Sequence, residues 1–306
     1  MFNRIMFLGS KKSGLKVLKE LCQQVPEKLV LCLTIDDTKD IRSELKEFQN
    51  FCSENRITIE IMSGKCDISA YVEQYQPDLC IVMGWYYIIS REVLDKVRGG
   101  FIGIHNSLLP KYRGFAPVVW SMINGEKATG FSVFSFSDGM DTGKIWYQKE
   151  VPIYQTDYIE DVLDRIDEEI GRFFKKDLNR IINESLSPYE QSNTVPTYGA
   201  KRMPTDGRID WTKNSTELYN FVRAQSKPYP GAYTFLSDKK IIIWRVEMFQ
   251  YPLFGIPGRV ALIDQKEQSA VVACGDNTGI KLKTVEVDNE TGSPLILKPT
   301  LSTQFL

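Results

Sequence analysis

Short apolar runs open the chain, each followed by a stretch with helical period. Residues 5–8, 29–35, 57–62, 79–83 and 101–105 read as buried strands. Between the first two, Leu15, Val17, Leu18, Leu21 and Cys22 make one apolar helix face, and residues 41–52, 68–75 and 90–97 predict three further helices. Such alternation predicts an α/β fold with a doubly wound, Rossmann-like parallel sheet. Ligands of such sheets bind in the crevice at the carboxyl ends of the strands. His105 and Gly84 both fall at strand ends of that kind.

Beyond Gly114 the pattern changes. Residues 116–123 read as a helix ended by Asn124-Gly125, residues 130–136 and 144–153 as two strands, and residues 157–182 as a charged helix. Residues 185–205 are polar and hold Pro188, Pro196 and Pro204, which predicts a linker. After one helix over residues 216–225 come short strands at 241–244, 258–262, 270–274 and 280–282. They predict a smaller β-rich, open-barrel domain. The expected division is therefore 1–184, a linker over 185–205, and 206–306.

Composition narrows the function classes. With 306 residues, 42% hydrophobic and 25% charged, the chain has the profile of a soluble globular protein. Lys+Arg 38 against Asp+Glu 39 gives a net charge of −1, which argues against broad electrostatic capture of nucleic acid. No run approaches the ~20 apolar residues of a membrane span, and the first apolar run is too short for a signal peptide, so a cytoplasmic protein is expected. Cys22, Cys32, Cys52, Cys66, Cys80 and Cys274 contain no C-x-x-C pair and read as reduced thiols of that compartment. There is one histidine, His105. A multi-histidine metal site within one chain is excluded, no metal is expected, and any imidazole chemistry rests on a single ring.

Two places carry candidate chemistry. The turn Gly9-Ser10-Lys11-Lys12-Ser13-Gly14 lacks the middle glycine of G-x-G-x-x-G, so a dinucleotide cradle is not expected there. A helix N-terminus with Lys11 can hold a phosphate, or the turn can simply be a tight connection with solvated lysines. The denser stretch runs from His105 through Asn106 to Gly114, followed by Ser137-Asp138-Gly139-Met140-Asp141-Thr142-Gly143. A lone histidine at a strand end can be a neutral ring capped by backbone. A carboxylate on a second loop of the same sheet edge makes it an acid/base pair instead, holding one tautomer and stabilising the protonated ring. Such a pair suits acyl transfer to an amine, with a polar donor for the oxyanion. Spacing alone leaves other reactions open.

The motif goes further. Ser107-Leu108-Leu109-Pro110-Lys111-Tyr112-Arg113-Gly114, then Ala116-Pro117, Asn124-Gly125-Glu126, Thr129-Gly130 and Asp138-Gly139-Met140-Asp141-Thr142-Gly143, resembles the folate-dependent formyltransferases. Pro77-Asp78 through Gly84-Trp85 is similar too. Asp206-Gly207-Arg208-Ile209-Asp210-Trp211 and Pro228-Tyr229-Pro230-Gly231-Ala232 are similar to the carboxyl-terminal domain of the methionyl-tRNA and sugar formyltransferases. The resemblance implies N10-formyltetrahydrofolate as formyl donor and a catalytic Asn, His and Asp. His105 and Asp141 match the last two. The family's Asn-x-His is Gly103-Ile104-His105 here, with Asn106 directly after the ring, so Asn106 is the candidate replacement. The resemblance further implies a folate pocket along Gly84, Trp85, Tyr86, Leu108, Leu109, Phe136, Asp138 and Gly139.

For the acceptor, the near-zero net charge favours a nucleotide-linked amino sugar over initiator tRNA, whose phosphates demand a basic surface. Lys11, Arg113, Tyr198, Lys201 and Arg202 are the candidates for the pyrophosphate and base, each alternatively a solvated surface residue. A homodimer is expected as an option. A binding protein that has lost turnover is the third reading, prompted by Gly103.

Overall fold

The computed structural model describes residues 1–64, 67–192 and 195–306. It divides into two compact units, one formed by residues 1–114, 129–151 and 164–198, the other by 115–128, 152–163 and 199–306.

The first unit is built on β1 (Ile5–Gly9), β2 (Leu29–Ile35), β3 (Ile59–Met62), β4 (Leu79–Met83) and β5 (Phe101–His105), with α1 (Lys11–Gln24), α2 (Leu45–Glu54), α3 (Ser69–Tyr75) and α4 (Arg91–Asp95) between them. Further along come the two-residue β6 (Arg113–Gly114), then α5 (Pro117–Ile123), β7 (Ala128–Ser135) and β8 (Ile145–Pro152). The sheet order is β3-β2-β1-β4-β5-β7-β8. β1 to β5 pair in parallel, as the alternating pattern predicts. β4 and β1 are buried at every position, the mark of a strand covered on both faces. Leu15, Val17, Leu18 and Leu21 of α1 are fully or nearly buried.

One pairing decides the site. β7 runs antiparallel to β5, with Ile102 opposite Ser135 and His105 opposite Ser132. Residues 136–144 therefore leave the sheet at the opposite end of β5 from His105. The loop then climbs back along the strand: Phe136 N–H donates to the Phe101 carbonyl at 2.8 Å, its ring lies over Gly103, and Asp141 arrives at His105. The carboxylate loop thus reaches the histidine by crossing the face of β5, and does not start from the same sheet edge.

The second unit holds α5, α7 (Ser215–Gln225) and the antiparallel strands β10 (Ala232–Leu236), β11 (Lys239–Met248), β12 (Val260–Asp264), β13 (Ser269–Ala273), β14 (Gly279–Val287) and β15 (Glu290–Gly292). The two-residue β9 (Tyr198–Gly199) precedes them, and α6 (Ile159–Ile182) lies between β8 and β9 in the chain. α7 starts on a capping box: the Asn214 side chain accepts from the Glu217 N–H at 3.0 Å and Glu217 accepts in return. The sheet order is β10-β11-β14-β13-β12. The chain's last residues bridge its two edges. Val260 N–H donates to Thr303 and Phe305 N–H to Gly258 on one side, while Phe235 and Leu306 exchange backbone bonds on the other. The C-terminal residues thereby cover part of both edge strands of the open sheet.

No described helix is long and apolar enough to cross a membrane. Cys32, Cys52, Cys80 and Cys274 are buried free thiols and Cys22 is partly buried, while Cys66 lies outside the described residues.

Candidate active site

His105 ends β5 with its side chain 11% exposed. Its Nε2 lies 2.7 Å from the Tyr112 carbonyl oxygen. A carbonyl only accepts, so this nitrogen carries a proton and donates. Nδ1 is then the nitrogen left to face Asp141, whose Oδ2 is 3.6 Å away. That is ion-pair distance for a protonated ring and just outside hydrogen-bond range for a neutral one. Phe134 meets the imidazole edge-on at 6.3 Å.

Asp141 is held from several sides. The Gly114 N–H donates to its Oδ2 at 2.7 Å. Its backbone sits at φ +53°, and Tyr112, whose carbonyl anchors the ring, sits at +54°. Left-handed non-glycine residues cost of order 1–3 kcal/mol each and persist only where neighbours over-determine them.

Asn106 follows the ring, and its amide oxygen is buried with no hydrogen-bond partner. Such an atom is costly unless something else completes it. Turning the amide by 180° presents its NH2 at the same place. Gly103 shows why an asparagine is not found two residues before the histidine. A Cβ there would stand 2.3 Å from Phe136 and 3.0 Å from Phe134. The Phe136 ring fills that volume, stacked at 5.5 Å on Phe134 and 6.4 Å on Phe101.

Gly84 and Trp85 leave the neighbouring strand β4 at the same sheet edge as His105. Gly84 has φ +73°, and a Cβ would meet the Ser10 carbonyl at 2.6 Å. The Trp85 indole N–H is buried without a partner, its ring edge-on to Tyr87. Tyr86 is half exposed, Leu108 partly buried and Leu109 buried, with Leu109 N–H bonded to Ser132 Oγ at 3.0 Å. Gly139 stands against Thr142, and Asp138 is exposed, paired with Arg91 at 3.4 Å.

The cations separate into two groups. Lys11 is spent internally: its ammonium contacts Asp37 at 2.5 Å and Asp40 at 3.0 Å and is only 12% exposed. Arg202 in the second unit lies 4.9 Å over the Trp120 ring and donates to Gln225 and the Asp206 carbonyl. Lys201 is exposed. Arg113 stays in the site, donating to the Tyr198 hydroxyl at 3.2 Å, and Tyr198 is 60% exposed.

A sequence reading misses Gln191 and Thr197. Thr197 accepts from the Arg113 and Tyr112 N–H groups at 2.8 Å each, through its carbonyl and its hydroxyl respectively. Both residues lie in the polar stretch expected to be a linker, which offers no local signal of contact with the site.

Family models match along most of the chain: one described as formyl transferase over residues 4–176, and one as formyl transferase, C-terminal domain, over 201–294. The chain belongs to the formyl transferase family. This formyltransferase is 30% identical to a methionyl-tRNA formyltransferase of Citrifermentans bemidjiense over 89% of its own length and 85% of the relative's. It is 34% identical to the bifunctional polymyxin resistance protein ArnA of Wigglesworthia glossinidia brevipalpis, over 62% of this chain but only 29% of that longer protein. In structure it is similar to the N-formyltransferase of Helicobacter canadensis, solved with folinic acid and dTDP-3-aminofucose. That match has a TM-score of 0.68 at 19% identity and covers 92% of this chain and 99% of the other. As a member of the family, the enzyme is a folate-dependent formyltransferase.

Proposed function

We propose that this formyltransferase moves the formyl group of N10-formyltetrahydrofolate to the amine of a nucleotide-linked amino sugar. The observation that carries the chemistry is the His105–Asp141 pair, with its second ring nitrogen anchored on the Tyr112 carbonyl. The residues around it fit a folate. The partnerless Trp85 N–H and Asn106 amide oxygen are polar groups waiting for a ligand, and Gly84, close-packed on the Ser10 backbone, makes the turn that leads β4 into Trp85. Gly84, Trp85, Leu108 and the loop carrying Asp138 and Gly139 would hold the donor, which supplies a formyl carbon activated as an amide of N10.

His105 and Asp141 manage the proton. The Tyr112 carbonyl keeps one proton on Nε2, so Nδ1 is the nitrogen that takes up a proton given up by the acceptor ammonium. Asp141 then faces an imidazolium and stabilises it. The same proton is available for the departing folate nitrogen. Asn106, with its amide turned, donates to the negative charge that develops on the formyl oxygen, the role Gly103 cannot perform.

For the acceptor, a net charge of −1 supports a small anionic ligand over a polynucleotide. The exposed Tyr198 ring beside Arg113 offers a stacking face and a cation for a nucleotide. The Helicobacter canadensis enzyme, whose fold this chain shares, holds such a ligand. A second reading, methionyl-tRNA formylation, is favoured by the relatives that match over nearly full length. Supplying N10-formyltetrahydrofolate with a panel of nucleotide-linked amino sugars or with charged initiator tRNA separates the two. The proposal expects tetrahydrofolate release with an amino sugar and none with the tRNA, and the reverse result overturns it.

A further inference from the structure

We infer that Gln191 is a positioning residue that sets the Asp141 carboxylate against His105. The inference rests on the formyl-transfer reading only for its kinetic arm. Gln191 Nε2 donates to the Asp141 carbonyl at 2.6 Å and to the Gly143 carbonyl at 2.9 Å. Its Oε1 accepts from Arg113 Nη2 at 2.6 Å and Nε at 3.2 Å. A primary amide has two N–H donors and two lone pairs, and all four are used. The amide is therefore locked in one orientation, because a flip sets its oxygen against two carbonyls and its NH2 against a guanidinium.

The two ends of this clip are the two supports of the reacting carboxylate. One is the backbone of Asp141 itself, in a left-handed conformation that needs external restraint. The other is Arg113, the residue before Gly114, whose N–H donates to Asp141 Oδ2. One amide thus fixes both where the carboxylate is rooted and where its donor stands. The loop has an independent tether, the Ser137–Thr142 hydroxyl pair at 2.8 Å. Removing Gln191 accordingly shifts Asp141 without unfolding the loop.

The effect belongs in turnover. A misplacement of about 1 Å in a catalytic group costs on the order of 10²-fold. Gln191→Ala removes the clip, and Gln191→Glu keeps the Arg113 contact while turning a carboxylate onto two carbonyls. Both variants are expected to lose about 10- to 100-fold in kcat, with the KM for donor and acceptor within about threefold. Because the chain has one histidine, long-range 1H–15N NMR of the imidazole gives a readout free of any substrate. In Gln191→Ala the Nδ1 resonance is expected to move in the same direction as in Asp141→Asn, with the thermal midpoint held within a few degrees. An imidazole spectrum superimposable on wild type overturns the inference, as does a loss of kcat that follows a loss of stability with the resonances unmoved. If no acceptor is formylated even by wild type, the formyl-transfer reading fails while the NMR arm still decides the role of Gln191.

Discussion

The turn after β1 and the loop after β5 start alike. Each leaves the carboxyl end of a parallel strand, each carries a non-glycine residue at positive φ, and each has a cation or imidazole where a ligand of an α/β sheet binds. They end differently. In the first, Lys11 is consumed by Asp37 and Asp40, and the Ser10 hydroxyl by the Gly84 carbonyl at 2.6 Å. In the second, His105 and Asp141 stand 3.6 Å apart without closing a hydrogen bond, and the Asn106 amide oxygen has no partner. A corner whose charges are paired from within serves stability. One that leaves them facing each other across a gap holds its interaction energy for a ligand or a proton.

Substitutions at the two corners should therefore separate into losses of rate and losses of stability. The largest effect is expected from His105→Ala and Asp141→Asn, each lowering kcat by about 10³-fold with the unfolding midpoint nearly unchanged, measured as tetrahydrofolate release beside a urea titration. Asn106→Ala comes next, at about 10²-fold in kcat, the size of a lost oxyanion donor. Near-normal turnover of that variant removes Asn106 from the mechanism.

Gly103→Asn tests the Phe136 packing from the other side. Restoring the family's residue forces a side chain into the space of a stacked ring and is expected to cost about 1–3 kcal/mol in urea unfolding with no gain in rate. A faster enzyme contradicts the account. The closed corner gives the opposite profile. Lys11→Met is expected to lose about 1–3 kcal/mol, between the values for surface and buried pairs, while KM for the acceptor stays put. A raised KM returns Lys11 to the binding site.

Asp40 supplies the smallest and most pH-specific effect. Burial pushes its carboxyl up, but hydrogen bonds from the Arg42 side chain and N–H and from Lys11 outweigh burial and hold it well below the usual carboxylate range. A depressed folded value adds stability that is complete above the unfolded value near 4 and is lost as pH falls toward the folded one. The stability gap between wild type and Asp40→Asn should accordingly narrow below about pH 4, seen by thermal unfolding across the acid range. A gap independent of pH contradicts that origin.

The parts of this molecule that local pattern specifies were open to reading. The period of the apolar residues predicts β1 to β5 and their parallel pairing, and a single histidine at a strand end marks His105; the glycine-punctuated loop offers both Asp138 and Asp141, and the family resemblance singles out Asp141. What depends on register was not. That Phe136 lies on Gly103 follows from β7 running antiparallel to β5, a long-range pairing with no local mark. The Lys11 charge looks free in the sequence because Asp37 and Asp40 arrive from the far end of the next strand. Gln191 sits in a proline-bearing polar stretch, where composition describes a linker and only the fold brings the amide to Asp141.

The one imidazole is oriented with its proton on Nε2, against the Tyr112 carbonyl, leaving Nδ1 toward Asp141 to take a proton. A long-range 1H–15N spectrum of the single histidine reads this directly, at a pH where the ring is neutral. The Nε2–H tautomer is the expected result. A neutral ring protonated on Nδ1 would contradict it, since the nitrogen meant to accept the proton would already carry one.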